Sequence, residues 1–280
     1  MPPSKSTLNF LRKLGPGLVT GASDDDPSGI ATYSQVGAQF GYGMLWTMLF
    51  TYPLMSVFQE ICARIGRVAG CGIAANVRRQ YPHFLYATVA LATAANIFNL
   101  GADIEAMGAA AQLLLPGPGG MYVVLLGAIS IVMQVFLPYS RYSNYLKWLT
   151  LSLFAYVITA FFVRISWAEA LRHTVQPQIA FNRSYFVALI AVLGTTISPY
   201  LFFWQASQEV EEVRTNHGEK ALKRSPRQAP YQLDRIRTDT YVGMAFSNLV
   251  AFFIILVSAA TLHAHGHVDI GTAAEAANTP

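Results

Sequence analysis

Apolar residues in this chain run in long blocks; they neither alternate every second position nor keep to one helical face. Seven blocks are long enough to cross a bilayer as helices, at roughly 16–40, 43–64, 84–112, 121–139, 145–163, 185–206 and 241–262. The pattern predicts an all-α membrane protein, with residues 1–280 as one polytopic domain. Polar stretches fall between the blocks. Residues 1–13 form a short leader, and the 113–120 stretch, Leu113-Leu114-Leu115-Pro116-Gly117-Pro118-Gly119-Gly120, marks a tight outer turn between the third and fourth spans. Residues 164–184 read as an outer loop. Residues 207–240 are basic and Pro-containing, and are predicted to be a mobile cytoplasmic loop.

Two of the spans carry their own interruption. The first contains Asp24-Asp25-Asp26-Pro27-Ser28-Gly29 between apolar flanks. Pro27 removes a backbone donor and Gly29 relaxes the chain, so the helix is expected to break there. Acids at membrane depth are costly and mark function by default. The freed carbonyls beside a carboxylate suit a hard cation. The sixth span contains Gly194-Thr195-Thr196-Ile197-Ser198-Pro199-Tyr200, with three hydroxyl residues bracketed by Gly and Pro. Alone, this fits a proline kink whose Ser and Thr side chains bond back to the helix. Paired with the acidic break five spans earlier, it points to an inverted-repeat transporter whose ion site lies between two broken helices.

Composition agrees: 53% of residues are hydrophobic and 12% charged. The net charge of +4 does not signal nucleic acid, because the basic residues are spread over loops and form no stripe. They set topology instead. With a cytoplasmic N-terminus, 16 of the 19 Lys and Arg fall in cytoplasmic segments, leaving Arg164, Arg172 and Arg183 outside. A multi-pass cell-membrane protein with its N-terminus inside is expected. No short apolar segment with a cleavage site precedes the first span, so no removable signal peptide is expected. Cys62 and Cys71 are too few for a disulfide framework.

These residues resemble the natural resistance-associated macrophage protein (NRAMP) family of divalent metal transporters. The likeness runs through Gly15-Pro16-Gly17-Leu18, Asp26-Pro27, Ala31-Thr32 and Gly37-Ala38-Gln39-Phe40-Gly41-Tyr42. It continues in Gln59, Ala63-Arg64, Gly66, Gly70, Tyr81-Pro82, Glu105, Gly108, Gly194 and Pro199, and in the tail at His267, Asp269 and Ile270. The resemblance implies a LeuT-like fold of two five-helix inverted repeats, with the site between broken helices 1 and 6. Family members continue for at least three more helices. The chain is therefore expected to be C-terminally truncated, holding the first repeat and two helices of the second.

The resemblance also implies a ligand set, from which this chain departs. Asp26 keeps the family acid of the DPGN motif, but Ser28 stands for Gly and Gly29 for Asn. In the sixth span Thr195 stands for Ala, Ser198 for Met and Tyr200 for His. Sulfur favours transition metals over alkaline earths, and it is gone. The remaining oxygen site, with Asp26, Ser28, Gly29, Thr195 and Ser198 as metal residues, suits Mg²⁺ or Mn²⁺ and resembles the NRAMP-related magnesium transporters. A trivalent ion is a further possibility, because the plant aluminium transporters related to this family also depart from the motif. Glu105 matches a family acid implicated in proton movement, with Asp103 one place off the other. Asp103, Glu105 and Tyr200 are thus the proton or cation pathway candidates. Tyrosine does not titrate near neutral pH, so transport uncoupled from protons is expected.

Other polar groups carry weaker signals. Glu209, Glu211 and Glu212 suggest either an acidic cytoplasmic vestibule or a solvated helix end. His263, His265 and His267 suggest either a Zn²⁺ or Cu²⁺ site or a polar loop. Gln35, Gln39, Asn96 and Asn99 are read as inter-helix hydrogen-bonding residues. Asn182-Arg183-Ser184 fits a glycosylation sequon.

The primary expectation is a secondary transporter of divalent cations, with the metal ion and the lipid bilayer as its partners and no cofactor. A proton-coupled Mn²⁺ or Fe²⁺ symporter and a non-transporting fragment are the alternatives. An intramembrane metalloenzyme needs a second carboxylate cluster or a basic group at depth. Only Asp103 and Glu105 are available and no basic residue lies there, so no enzyme is expected. An amino-acid transporter of similar architecture would keep its unwound first helix neutral, which three aspartates oppose.

Overall fold

The computed structural model describes residues 16–136, 150–216 and 218–266. The first span is two helices, α1 (Pro16–Asp24) and α2 (Pro27–Phe40). There follow α3 (Trp46–Ala69), α4 (Ile73–Gln80), α5 (Pro82–Leu114) and α6 (Gly119–Phe136). Next come α7 (Phe154–Phe162), α8 (Trp167–Val175), α9 (Arg183–Thr196), α10 (Pro199–Thr215) and α11 (Ala229–Thr261). Among the described residues, four stretches, Pro82–Leu114, Gly119–Phe136, Arg183–Thr215 and Pro226–His265, are long and apolar enough to cross a membrane. Both expected breaks are present, each with Pro at the first turn of the following helix, where its missing N–H is not needed.

The structure departs from the hydropathy pattern at polar segments. The expected loop 207–240 is largely helix: α10 runs on to Thr215 and α11 begins at Ala229, leaving a connection of 216–228. Hydropathy reports where lipid is, not where helix ends, and the polar extensions are held by ion pairs described below. Helix α8 likewise occupies part of the outer loop 164–184. The ends of the fourth and fifth spans at 137–149, the leader, and the tail from His267 lie outside the described residues.

The chain divides into two compact units. One comprises residues up to Asp24, Tyr52–Asn96 and Ile197–Ser247; the other comprises Asp25–Thr51, Ile97–Thr196 and the residues from Asn248. Two of the boundaries coincide with the helix breaks.

In the first unit, α1 lies against the start of α11. Gly17 and Gly21, four residues apart, make the close approach possible: a Cβ on Gly21 would sit 2.2 Å from the Gly243 carbonyl oxygen. The Gly17 N–H donates to Asp239 Oδ2 at 2.7 Å. Where α3 meets α10, Gly66 similarly faces the Ala206 carbonyl.

In the second unit, α2 lies against the end of α11, with Gly37 against the Ile255 carbonyl and Ser258. Helix α2 ends at Gly41, whose φ of 56° is left-handed. Trp46 Nε1 donates to the Tyr185 hydroxyl at 3.0 Å, joining α3 to α9. Asn182 Oδ1 accepts the Tyr185 N–H at 2.8 Å at the start of α9, so the sequon asparagine has a local structural role.

Candidate metal centre

The centre of the second unit is built on the break before α2. Asp26 is the N-cap of that helix, with extended backbone at φ −74° and ψ 166°. Its Oδ1 accepts the Gly29 N–H at 2.7 Å. Asp-Pro-Ser-Gly is thus a local helix-start signal: a capping carboxylate, a preset φ, and free amides in the first turn. Helix α5 brings Asn99 and Asp103, four residues apart and hence on one helical face.

These side chains form one hydrogen-bonded knot. Ser28 N–H donates to Asp103 Oδ1 at 3.2 Å. Asn99 Nδ2 donates to Asp26 Oδ2 at 2.8 Å and to Asp103 Oδ2 at 3.1 Å. The Ser28 hydroxyl lies 2.8 Å from Asp26 Oδ1 and 2.9 Å from Asn99 Oδ1. A hydroxyl has one proton, so it cannot satisfy both oxygens. Every bond within the knot comes from a neutral donor. The partial positive charge at the α2 N-terminus supports the two carboxylates. A set of two carboxylates, a hydroxyl and an amide oxygen, without sulfur, matches a hard divalent cation. Among the described residues no group of three or more His, Cys, Asp or Glu converges on one point, so an ion here would rely on amide, hydroxyl, carbonyl and water oxygens as well.

The other predicted residues are placed as follows. Gly29 is buried and its amide is taken by Asp26. Thr195 is half-buried at the end of α9, in the same unit as Asp26. Its neighbour Thr196 is buried, 3.3 Å from the Tyr33 hydroxyl of α2. Ser198, buried, is the N-cap of α10, and Tyr200 is half-buried in that helix's first turn; both belong to the first unit. Glu105 is exposed. It lies two positions beyond Asp103, about 200° around the helix, and does not join the knot. Asp24 is fully buried in the first unit, where its Oδ2 accepts the Ser247 hydroxyl at 2.8 Å.

The sequence reading missed Asn99 as part of the cluster, treating it only as a helix-bridging amide. The available signal was its i, i+4 spacing to Asp103 inside an apolar span. It also missed a polar stripe on α2. Ser28, Thr32, Gln35 and Gln39 recur at helical spacing, Thr32 Oγ1 donates to the Ser28 carbonyl at 3.0 Å, and the last three line a cavity of about 480 Å³ with Arg183 and Ser184 of α9.

The acidic residues of α10 do not form an open vestibule. Glu209 is buried, with Arg235 Nη2 donating to its Oε2 at 2.5 Å; the same nitrogen lies 3.1 Å from Glu212 Oε2. Arg67, fully buried, donates to Glu219 Oε2 at 2.6 Å and lies 3.8 Å from Glu209. Only Glu211 is exposed. Of the histidine triplet, His263 Nδ1 lies 2.8 Å from the Ala38 carbonyl and His265 Nδ1 lies 2.6 Å from the Thr261 carbonyl. His267 is outside the described residues.

Comparison with known proteins places this architecture. The chain is 26% identical over 262 residues to the divalent metal cation transporter MntH of Verminephrobacter eiseniae, covering 91% of this chain and 57% of that protein. It is 24% identical over 288 residues to MntH of Aeromonas hydrophila, covering 96% and 66%. The chain thus spans between about half and two thirds of the length of these relatives. Its fold is similar to the crystal structure of the Eremococcus coleocola manganese transporter in complex with an aromatic bis-isothiourea compound. That match has a TM-score of 0.68 at 18% identity and covers 93% of this chain and 54% of the transporter. The family described as natural resistance-associated macrophage protein-like matches residues 17–279. By that match this multi-pass membrane chain belongs to the NRAMP family.

Proposed function

We propose that this chain carries the cation site of a secondary transporter that moves Mg²⁺ or Mn²⁺ across the cell membrane, with its N-terminus in the cytoplasm. The observation that carries the reading is the Asp26–Ser28–Asn99–Asp103 knot. It offers hard oxygen atoms, two negative charges and too few protons for its acceptors, at a helix break inside an apolar span. The names of the MntH relatives support a divalent metal as substrate. The lack of sulfur in the knot, and Ser198 where the family has Met, favour a hard ion that keeps part of its water shell. Gly29, Thr195 and Ser198 remain proposed contributors through carbonyl and hydroxyl oxygens. The polar stripe Thr32, Gln35 and Gln39 serves as the access path. The apolar outer surfaces of α5 and α6, which bury only Gly108, Tyr122 and Gly127, suit lipid.

A second reading, proton-coupled transport, gains from one observation. Asp103 shares the knot with Asp26, which gives the site a second carboxylate able to take a proton when the cation leaves. Glu105, on the opposite face, is poorly placed for this. The test is uptake of Mn²⁺ or Mg²⁺ into proteoliposomes holding an internal pH dye. Acidification that follows metal influx and disappears in Asp103→Asn establishes coupling through Asp103. Metal influx with no acidification leaves the membrane potential as the driving force, about 2.3 kcal/mol per charge per 100 mV.

A further inference from the structure

We propose that Asn99 is a cation ligand, and that its carboxamide turns over when the ion binds. The inference rests on the knot being the cation site. In the structure, both Nδ2 protons of Asn99 are spent on carboxylates, one each to Asp26 and Asp103, while Oδ1 faces the Ser28 hydroxyl. The amide therefore holds together two groups of like charge, which would otherwise repel in a low-dielectric setting. A divalent ion bound between those carboxylates replaces that link, and two N–H donors pointing at it would then be repelled. Rotation about the terminal side-chain bond exchanges Nδ2 for Oδ1 with little change in shape, because this torsion is broad and two-fold. After rotation Oδ1 points to the ion and Nδ2 can donate to the Ser28 hydroxyl oxygen, which relieves the contact where one proton served two oxygens. Asn99 thus supplies, from α5, a neutral amide oxygen that the α2 break itself lacks, since Gly29 has no side chain.

A ligand and a mere clamp predict opposite outcomes for one substitution. Asn99→Asp can present only oxygen. If Asn99 is a ligand, this variant binds Mn²⁺ and Mg²⁺ at least as tightly as the unmodified chain. If Asn99 only donates hydrogen bonds to the two aspartates, a third carboxylate repels them and binding falls as far as in Asn99→Ala. The measurement is calorimetric titration of the full chain in nanodiscs with Mn²⁺ and, separately, Mg²⁺. Asn99→Ala, Asn99→Asp and Asp26→Asn are compared, with size-exclusion profiles confirming that each variant is folded. The expected result is a loss of about tenfold to a hundredfold for Asn99→Ala, retention for Asn99→Asp and no measurable binding for Asp26→Asn. Undiminished affinity in Asn99→Ala, or equal losses in the Ala and Asp variants, overturns the ligand role of Asn99 while leaving the site in place. Undiminished binding in Asp26→Asn overturns the site itself.

Discussion

The two units each gather a cluster of acids, and the two clusters are held in different ways. In the first, Glu209, Glu212 and Glu219 meet Arg67 and Arg235, and Gln232 bridges Arg235 and Glu219. The backbone joins in: Leu222 N–H donates to the Arg67 carbonyl and Lys223 N–H to the Val68 carbonyl, tying the connection 216–228 to the end of α3. In the second unit, the bonds that Asp26 and Asp103 accept within the knot come from an amide, a hydroxyl and two backbone N–H groups. Carboxylates paired with guanidinium are committed to structure. Carboxylates held by exchangeable neutral donors remain able to take a cation. Both clusters are costly to assemble, and the proposed function assigns the mobile ion to the second.

The sharpest way to break this contrast is to remove one charge from each cluster. Arg67→Met takes the guanidinium partner from Glu219 and leaves Glu209 with Arg235 alone, and should cost about 3–5 kcal/mol of stability, read as an earlier unfolding midpoint in detergent. Asp26→Ala removes a helix cap and should cost only about 1 kcal/mol, while eliminating Mn²⁺ and Mg²⁺ binding by calorimetry. If Arg67→Met were stable, or Asp26→Ala unfolded as readily, the division into structural and exchangeable clusters would be wrong.

A smaller effect should separate the glycines of the two units. Gly21→Ala drives a methyl into the Gly243 carbonyl and should destabilise the seat of α1 on α11 by about 1–3 kcal/mol. Gly101→Ala, inside α5 with open space around it, should stabilise by up to about 1 kcal/mol through helix propensity. The two midpoints should therefore move in opposite directions; equal shifts would mean that the α1–α11 approach is not tight. The smallest effect is one of preference. Ser198→Met adds a thioether and should move discrimination toward Mn²⁺ or Cd²⁺ over Mg²⁺ in competition uptake. An unchanged ratio would remove Ser198 from the proposed ligand set.

The sequence by itself determined the features that depend on near neighbours. Asp26 caps α2 through its side chain, and Pro27 and Pro199 fix φ in the first turns of α2 and α10, so both breaks were legible. It did not determine where polar helices end. Residues 229–240 read as loop because hydropathy senses lipid, whereas Arg235 keeps them helical by meeting Glu209 across 26 positions. Nor did it determine which acid joins Asp26. Asp103 and Glu105 are two residues apart and chemically alike, and only the rotation of α5 decides that Asp103 faces the break while Glu105 faces outward. Asn99 reaches Asp26 across 73 positions, and Arg67 reaches Glu219 across 152. Such pairings follow from how the helices pack, because hydrogen bonds and ion pairs act over a few ångströms in space and are indifferent to distance along the chain.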